Sequence, residues 1–279
     1  MSLLRRLAAF LGLRREVEPP PLAPPHAGAG IPVAAVGDAA PPELRIPPRP
    51  PARAVLVVPE LLEELGAADP RGWAEVLSSA CLAAEIRNRR RLAAFLGNAL
   101  HETGGLRRMR ESLDYSAEGL ARTWPGRFAL PGTTPPQPNA QAWRLGRHMR
   151  GGVLISANQP AIAATAYAGR LGNRDGGDAW RFRGAGLLQL TGRANWERAA
   201  EALGLTLEEL ERTFDTRHGA AATAGLFWQW KGCNALADAG ELEELRRRVN
   251  GGAIGLEAVR EITARARDAI ARRAPWVPA

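Results

Sequence analysis

One short stretch limits what this chain can fold into. From Arg89 to Glu102 apolar residues recur at Leu92, Phe95, Leu96, Ala99 and Leu100, a helical face wide enough to be core. The run ends on His101-Glu102-Thr103, and Gly104-Gly105 follow at once. A second carboxylate, Glu111, stands nine positions after the first, beyond Arg107, Arg108 and Arg110. On one unbroken helix, residues nine apart are separated by about 13.5 Å along the axis. Acid and base working on one inverting glycosidic cleavage sit roughly 6.5–9.5 Å apart. The glycine pair lets the chain turn back and removes that obstacle. Glu102, following an apolar run, would be buried and held protonated as a general acid, whereas the arginines would keep Glu111 ionised, as a general base requires. From spacing alone the plainer account, a helix-end glutamate and a solvated glutamate among arginines, is favoured.

Elsewhere the pattern is almost wholly helical. Residues 19–54 hold twelve of the 22 prolines. Proline fixes φ and removes a donor, so this segment reads as an extended, disordered linker. It follows a short basic amphipathic segment, 1–18, which lacks a clear cleavage site and is a candidate for peripheral membrane contact. The folded unit is expected over 55–279. Pro59 opens a first helix through Leu65. Asp69 followed by Pro70 starts another, and Ser116 caps one reaching Trp124. Further helices are expected at Asn139–Met149, Pro160–Gly169, Thr191–Leu203, Arg217–Trp230, Glu241–Val249 and Gly255–Arg273. Short strands are expected at Val55–Val58 and Leu187–Leu190, and a long irregular loop over Gly169–Gly186.

The net charge of +8 rests almost entirely on arginine, Lys231 being the only lysine. It favours anionic partners at long range without choosing among nucleic acid, anionic lipid and cell-wall polymer. Because arginine accompanies abundant Ala, Gly and Pro, it is discounted as a nucleic-acid signal. Cys81 and Cys233 read as buried free thiols. His101-Glu102 lacks the second histidine of a zinc-protease motif, since position 105 is Gly, and no metal or cofactor is expected. Gln189, Thr191 and Asn195 offer hydrogen-bonding groups that suit sugar hydroxyls or a water, and equally suit a helix cap with an exposed neighbour. Trp180, Trp196, Trp228 and Trp230 are potential stacking faces, with core the stronger reading for at least one. Asn250-Gly251 reads as a helix end.

Taken together, 91–105, Glu111–Leu120, Trp124–Phe128, Tyr167–Asn173, Gly177–Trp196, Asn234–Asp238 and Arg248–Gly252 resemble, in order, glycoside hydrolase family 19, the chitinase-like enzymes and their endolysin relatives in bacteria and phages. The resemblance implies a mainly α, lysozyme-like, two-lobed domain with a substrate cleft, and hydrolysis by single displacement with inversion. It makes Glu102 the general acid, Glu111 the general base and Thr191 a holder of the attacking water. Tyr115, Gln189, Asn195, Trp196 and Asn250 become substrate-binding residues, and Arg260 stands for an arginine expected in the last helix. Trp196 departs from the tyrosine usual there, and Ala185 from an arginine often found. The compact core without a cysteine framework is similar to the endolysin-like branch, which implies peptidoglycan as substrate, chitin as the alternative and a non-catalytic glycan-binding protein as a third reading. A monomer acting at the cell wall or periplasm is expected.

Overall fold

The computed structural model describes residues 57–273, so the expectations for 1–18 and 19–54 lie outside the described residues. What is described is mainly helical, with one two-stranded hairpin. The chain forms two compact units. The first takes the chain up to Met109, Gly186–Gln189 and Ala199 onward; the second takes Arg110–Ala185 and Leu190–Arg198.

At the centre of the first unit is the Arg89–Thr103 helix, opened by Asn88, whose side chain accepts from Arg91 N. Ten of its residues are buried, from Leu92 to Leu100 and again at Thr103, so it is enclosed rather than amphipathic. It packs along the Leu256–Arg272 helix. The two approach closely at Gly97, where an added Cβ would lie 2.1 Å from Thr263 Oγ1. Gly104, at φ 60°, and Gly105, at φ 78°, end the helix, and Gly105 N donates to Leu100 O at 2.8 Å. This is the left-handed exit that glycine permits. Pro59–Glu64 and Pro70–Ala83 form as expected, and the Asp69 side chain accepts from Gly72 N. Cys81 and Cys233 are buried free thiols, and burial pushes the Cys233 thiol up to about 12.

The second unit is built on Leu113, Leu120, Phe128, Leu145 and Ile162. Ser116 caps Ala117–Thr123, and Pro125 opens a separate turn, Pro125–Phe128. The helix expected over Asn139–Met149 covers only Ala140–Leu145. Gly146 breaks it because its backbone lies against Ala117, where a Cβ would stand 2.7 Å from the amide nitrogen. His148–Arg150 then pairs antiparallel with Val153–Ile155 across Gly151-Gly152, a hairpin the sequence reading does not contain. The span Gly169–Gly186 is not structureless. It holds the Gly176–Arg181 helix, capped by Asp175, and Asp178 fastens it by accepting from Arg193 Nε at 2.8 Å, Arg193 Nη2 at 2.9 Å and Arg174 N at 3.0 Å.

Leu187–Leu190 is not a strand. Ala185 and Leu190 exchange backbone bonds at 3.2 and 2.8 Å, and Gln189 sits at φ 53°, so the chain turns tightly there. Val57 and Val58, the described part of the other expected strand, are not in one either. Two further helices go beyond the expectations: Leu207–Thr213, with a full capping box between Thr206 and Glu209, and Cys233–Ala239.

Candidate active site

Glu102 lies in the first unit and Glu111 in the second. Each is held by a different kind of contact.

Glu102 is in the last turn of the Arg89–Thr103 helix, with its side chain 16% exposed. Its carboxylate is ion-paired with Arg246, whose side chain is 2% exposed. Arg246 Nε donates to Ile254 O at 2.9 Å, and Nη1 also faces Asn98 Oδ1 at 3.4 Å. Asn98 is itself buried and donates to Ala94 O at 3.0 Å. The guanidinium is therefore fixed on several sides, and it holds the carboxylate through Nη1. The isolated apolar setting expected for Glu102 is replaced by a buried ion pair. His101 packs against Gly255, where an added Cβ would meet its ring Nε2 at 2.3 Å. Burial first, and then the Arg246 charge, lower the His101 pKa.

Glu111 departs from expectation in the opposite sense. It is not a solvated acid among Arg107, Arg108 and Arg110. Tyr167 Oη donates to its Oε1 at 2.8 Å and Gly184 N to its Oε2 at 3.0 Å, while Glu111 N donates back to Gly184 O at 2.8 Å. Burial raises its pKa; the Gly184 amide, the Tyr167 hydroxyl and the Arg183 charge oppose that rise. Arg107 instead donates to Gly104 O at 2.9 Å, and the Arg110 guanidinium lies 5.5 Å from the centre of the Trp196 ring. Arg183 is stacked 3.8 Å over the Trp180 ring and donates to Trp180 O. Tyr115 is half-buried, edge-on to Trp124 at 5.2 Å, and Trp124 is edge-on to Tyr167 at 6.0 Å. Burial first, and then the Glu111 charge, raise the Tyr115 pKa. Glu111, Tyr167 and Tyr115 thus form one cluster with Trp124.

Tyr167 is itself held in register. Asn173 is buried, donates to Tyr167 O at 3.1 Å and accepts from Arg193 N at 2.9 Å. In the second unit Thr191 and Asn195 are half-buried, and Asn195 Nδ2 donates to Thr191 O at 2.7 Å. In the first unit Gln189 Nε2 donates to Gly186 O at 3.0 Å, and Asn250 is an exposed final helical residue before Gly251 at φ 74°.

One of the expected binding residues, Trp196, is corrected. Trp196 is fully buried, its Nε1 donates to Leu190 O at 2.8 Å and its ring packs edge-on to Phe182 at 5.2 Å. It offers no face to a sugar and instead secures the Leu190 corner. Arg260 is a surface residue, bonded to Glu257 at 2.5 Å and 3.7 Å from Glu243. The arginine that reaches Glu102 is Arg246. Its position was legible: Leu242, Leu245, Arg246 and Val249 fall at i, i+3, i+4 and i+7, so Arg246 belongs to the buried stripe while Arg247 and Arg248 do not. Tyr167 and Arg183 left no comparable local signal.

The chain is 33% identical over 189 residues to a Haemophilus influenzae protein described as "Glycosyl hydrolase family 19 domain-containing protein", a match covering 67% of this chain and 84% of that protein. No protein-family model matches the chain. Among solved structures it is similar to chitinase C from Streptomyces griseus HUT6037, with a TM-score of 0.47 and 16% identity over 79% of this chain and 96% of that one. A mutant of chitinase C gives a TM-score of 0.47 at 17% identity, over 79% of this chain and 95% of that one.

Proposed function

The chain belongs to glycosyl hydrolase family 19, and from that premise we propose that it cleaves the β-1,4 bonds of peptidoglycan glycan strands with inversion, acting as a monomer at the cell wall or periplasm. Residues from 55 onward form the catalytic domain in this reading, with 19–54 as its linker.

Two held carboxyls, one on Arg246 and one on Tyr167 and Gly184, carry this reading, and the family resemblance assigns their roles. Glu102 donates a proton to the glycosidic oxygen as the bond to the anomeric carbon breaks. Glu111 takes a proton from a water whose oxygen attacks that carbon from the opposite face. Burial raises the Glu111 pKa, which makes its carboxylate a stronger base, and the donors from Tyr167 and Gly184 steady its ionised form. Arg246 fixes the direction of Glu102. Thr191 holds the attacking water, and Tyr115, Gln189, Asn195 and Asn250 bind sugar. Trp196 has no part in binding. Peptidoglycan is preferred over chitin because the sequence resembles the endolysin-like branch and because a chain of net charge +8 is drawn to an anionic wall.

Mass spectrometry of the products from purified peptidoglycan and from chitin oligomers tests the substrate. Muropeptides ending in reducing N-acetylmuramic acid or N-acetylglucosamine, with chitin oligomers left nearly intact, are expected. Cleavage of chitin oligomers alone would make the chain a chitinase, and no cleavage of either would make it a binder.

A further inference from the structure

From Gly119 to Arg174 the chain runs for 56 residues with seven arginines and no Asp or Glu. Among the described residues seven large apolar side chains stand exposed, and six of them fall in this stretch: Leu130, Trp143, Met149, Val153, Leu154 and Ile155. Four of the six are on the His148–Ile155 hairpin, where Met149 is 63%, Val153 61% and Leu154 59% exposed. The register pairs Met149 with Leu154 and Arg150 with Val153. Cross-strand partners share a face and neighbours along a strand alternate. Both faces of the hairpin therefore present apolar side chains, and neither face is covered within the unit.

We propose that this hairpin is an interfacial anchor that inserts its apolar side chains into the headgroup boundary of an anionic lipid bilayer. Arg144, Arg147 and Arg150 are exposed at its base and along it, and the Trp143 ring stands edge-on to His148 at 6.2 Å. Exposed aliphatic side chains flanked by Trp143 and by arginines, with Arg150, beside the Gly151-Gly152 turn, long enough to snorkel, suit the boundary between hydrocarbon and anionic headgroups. The acids nearest this surface are few. Asp114 is paired with Arg147 at 2.9 Å, and Glu118 lies within the field of Arg122 and His148. Arg144 and Arg150 make no ion pair among the described residues.

The chemistry selects this occupant over others. Sugar platforms are aromatic faces beside hydrogen-bonding groups, whereas Met149, Val153, Leu154 and Ile155 are aliphatic. A stable dimer needs an interface of about 1,000 Å² or more, and two three-residue strands spanning roughly 10 Å fall well short of it. Strands of three residues are too short to cross a bilayer, so the hairpin itself makes a peripheral contact.

The full-length chain carrying Leu154→Cys, labelled with an environment-sensitive fluorophore, tests this at the hairpin itself. Cys81 and Cys233 are buried, so the label is directed to position 154. Vesicles of phosphatidylglycerol and phosphatidylethanolamine should blue-shift the emission and raise it at least twofold. Phosphatidylcholine vesicles should leave it unchanged, as should a label at Glu201→Cys, and Arg144→Gln with Arg150→Gln should weaken the response several-fold. Retained hydrolysis of a soluble glycan oligomer reports that the labelled protein is folded, and Val153→Cys serves if it is not. No response to anionic vesicles would overturn the proposal, as would an equal response to neutral ones. A response to glycan fragments alone, or to protein concentration without lipid, would reassign the hairpin to the wall or to a second copy.

Discussion

Glu102 and Glu111 stand nine positions apart, carry the same side chain and differ in almost everything that surrounds them. Glu102 faces a buried arginine that is itself fastened by Ile254 O and Asn98. Glu111 faces a tyrosine hydroxyl and a backbone amide, and burial works against its charge. Both arrangements orient a carboxyl. One uses an ion pair to an arginine that Ile254 O and Asn98 hold in place; the other uses two neutral donors. Two identical side chains thus stand in two different environments.

Replacing the carboxyls should break the comparison most sharply. Glu102→Gln is expected to reduce turnover by roughly 10²–10⁴-fold with the circular dichroism spectrum unchanged. Glu111→Ala should lose a similar factor and regain part of it with azide, which replaces the water and needs no base; equal insensitivity of the two variants to azide would erase the distinction. Arg246→Lys comes next. It keeps the charge but loses the fork, and a fall in kcat of about tenfold, with KM little changed, would mark Arg246 as a positioning residue. Wild-type kinetics would deny it that role.

Tyr167→Phe sharpens the other half. The hydroxyl lowers the Glu111 pKa, so its loss should move the acid limb of the kcat/KM profile to higher pH, at a stability cost of about 1 kcal/mol. The smallest effect expected is on stability. Glu111 has a folded pKa above its ordinary value near 4.5, so the folded state binds this proton more tightly than the unfolded chain does. The wild type should therefore lose stability as pH rises from about 4.5 through the folded pKa, with the full penalty above it. Glu111→Gln, whose amide can donate to Tyr167 Oη and accept from Gly184 N, should lack that loss. Its Tm relative to wild type should rise from pH 4 to pH 7, and a constant difference would contradict the burial argument.

The sequence carried the helices where local chemistry decides them. Asp69-Pro70, Ser116 and Gly104-Gly105 each set a boundary through their own backbone and cap preferences. The capping box at Thr206 and Glu209 was as plain, and its helix could have been named. The hairpin and the Leu187–Leu190 turn were harder, because short apolar runs fit strand, turn and buried segment alike. At the site, the identities of Glu102 and Glu111 were legible and their surroundings were not. The arginines adjacent to Glu111 in sequence are not the groups that touch it. Tyr167 and Gly184, 56 and 73 residues away, are brought to it by tertiary structure alone, and so is the arginine at Glu102, 144 residues on. Trp196 shows the converse. As a lone residue it suits a sugar platform, and only its complete burial removes it from the site.

The division of labour between the two carboxyls is tested most directly by proton NMR of the first product released from a β-1,4-linked oligomer. Single displacement by a water that Glu111 activates predicts the α-anomer at the new reducing end before mutarotation. Initial release of the β-anomer would mean retention, and would contradict the account.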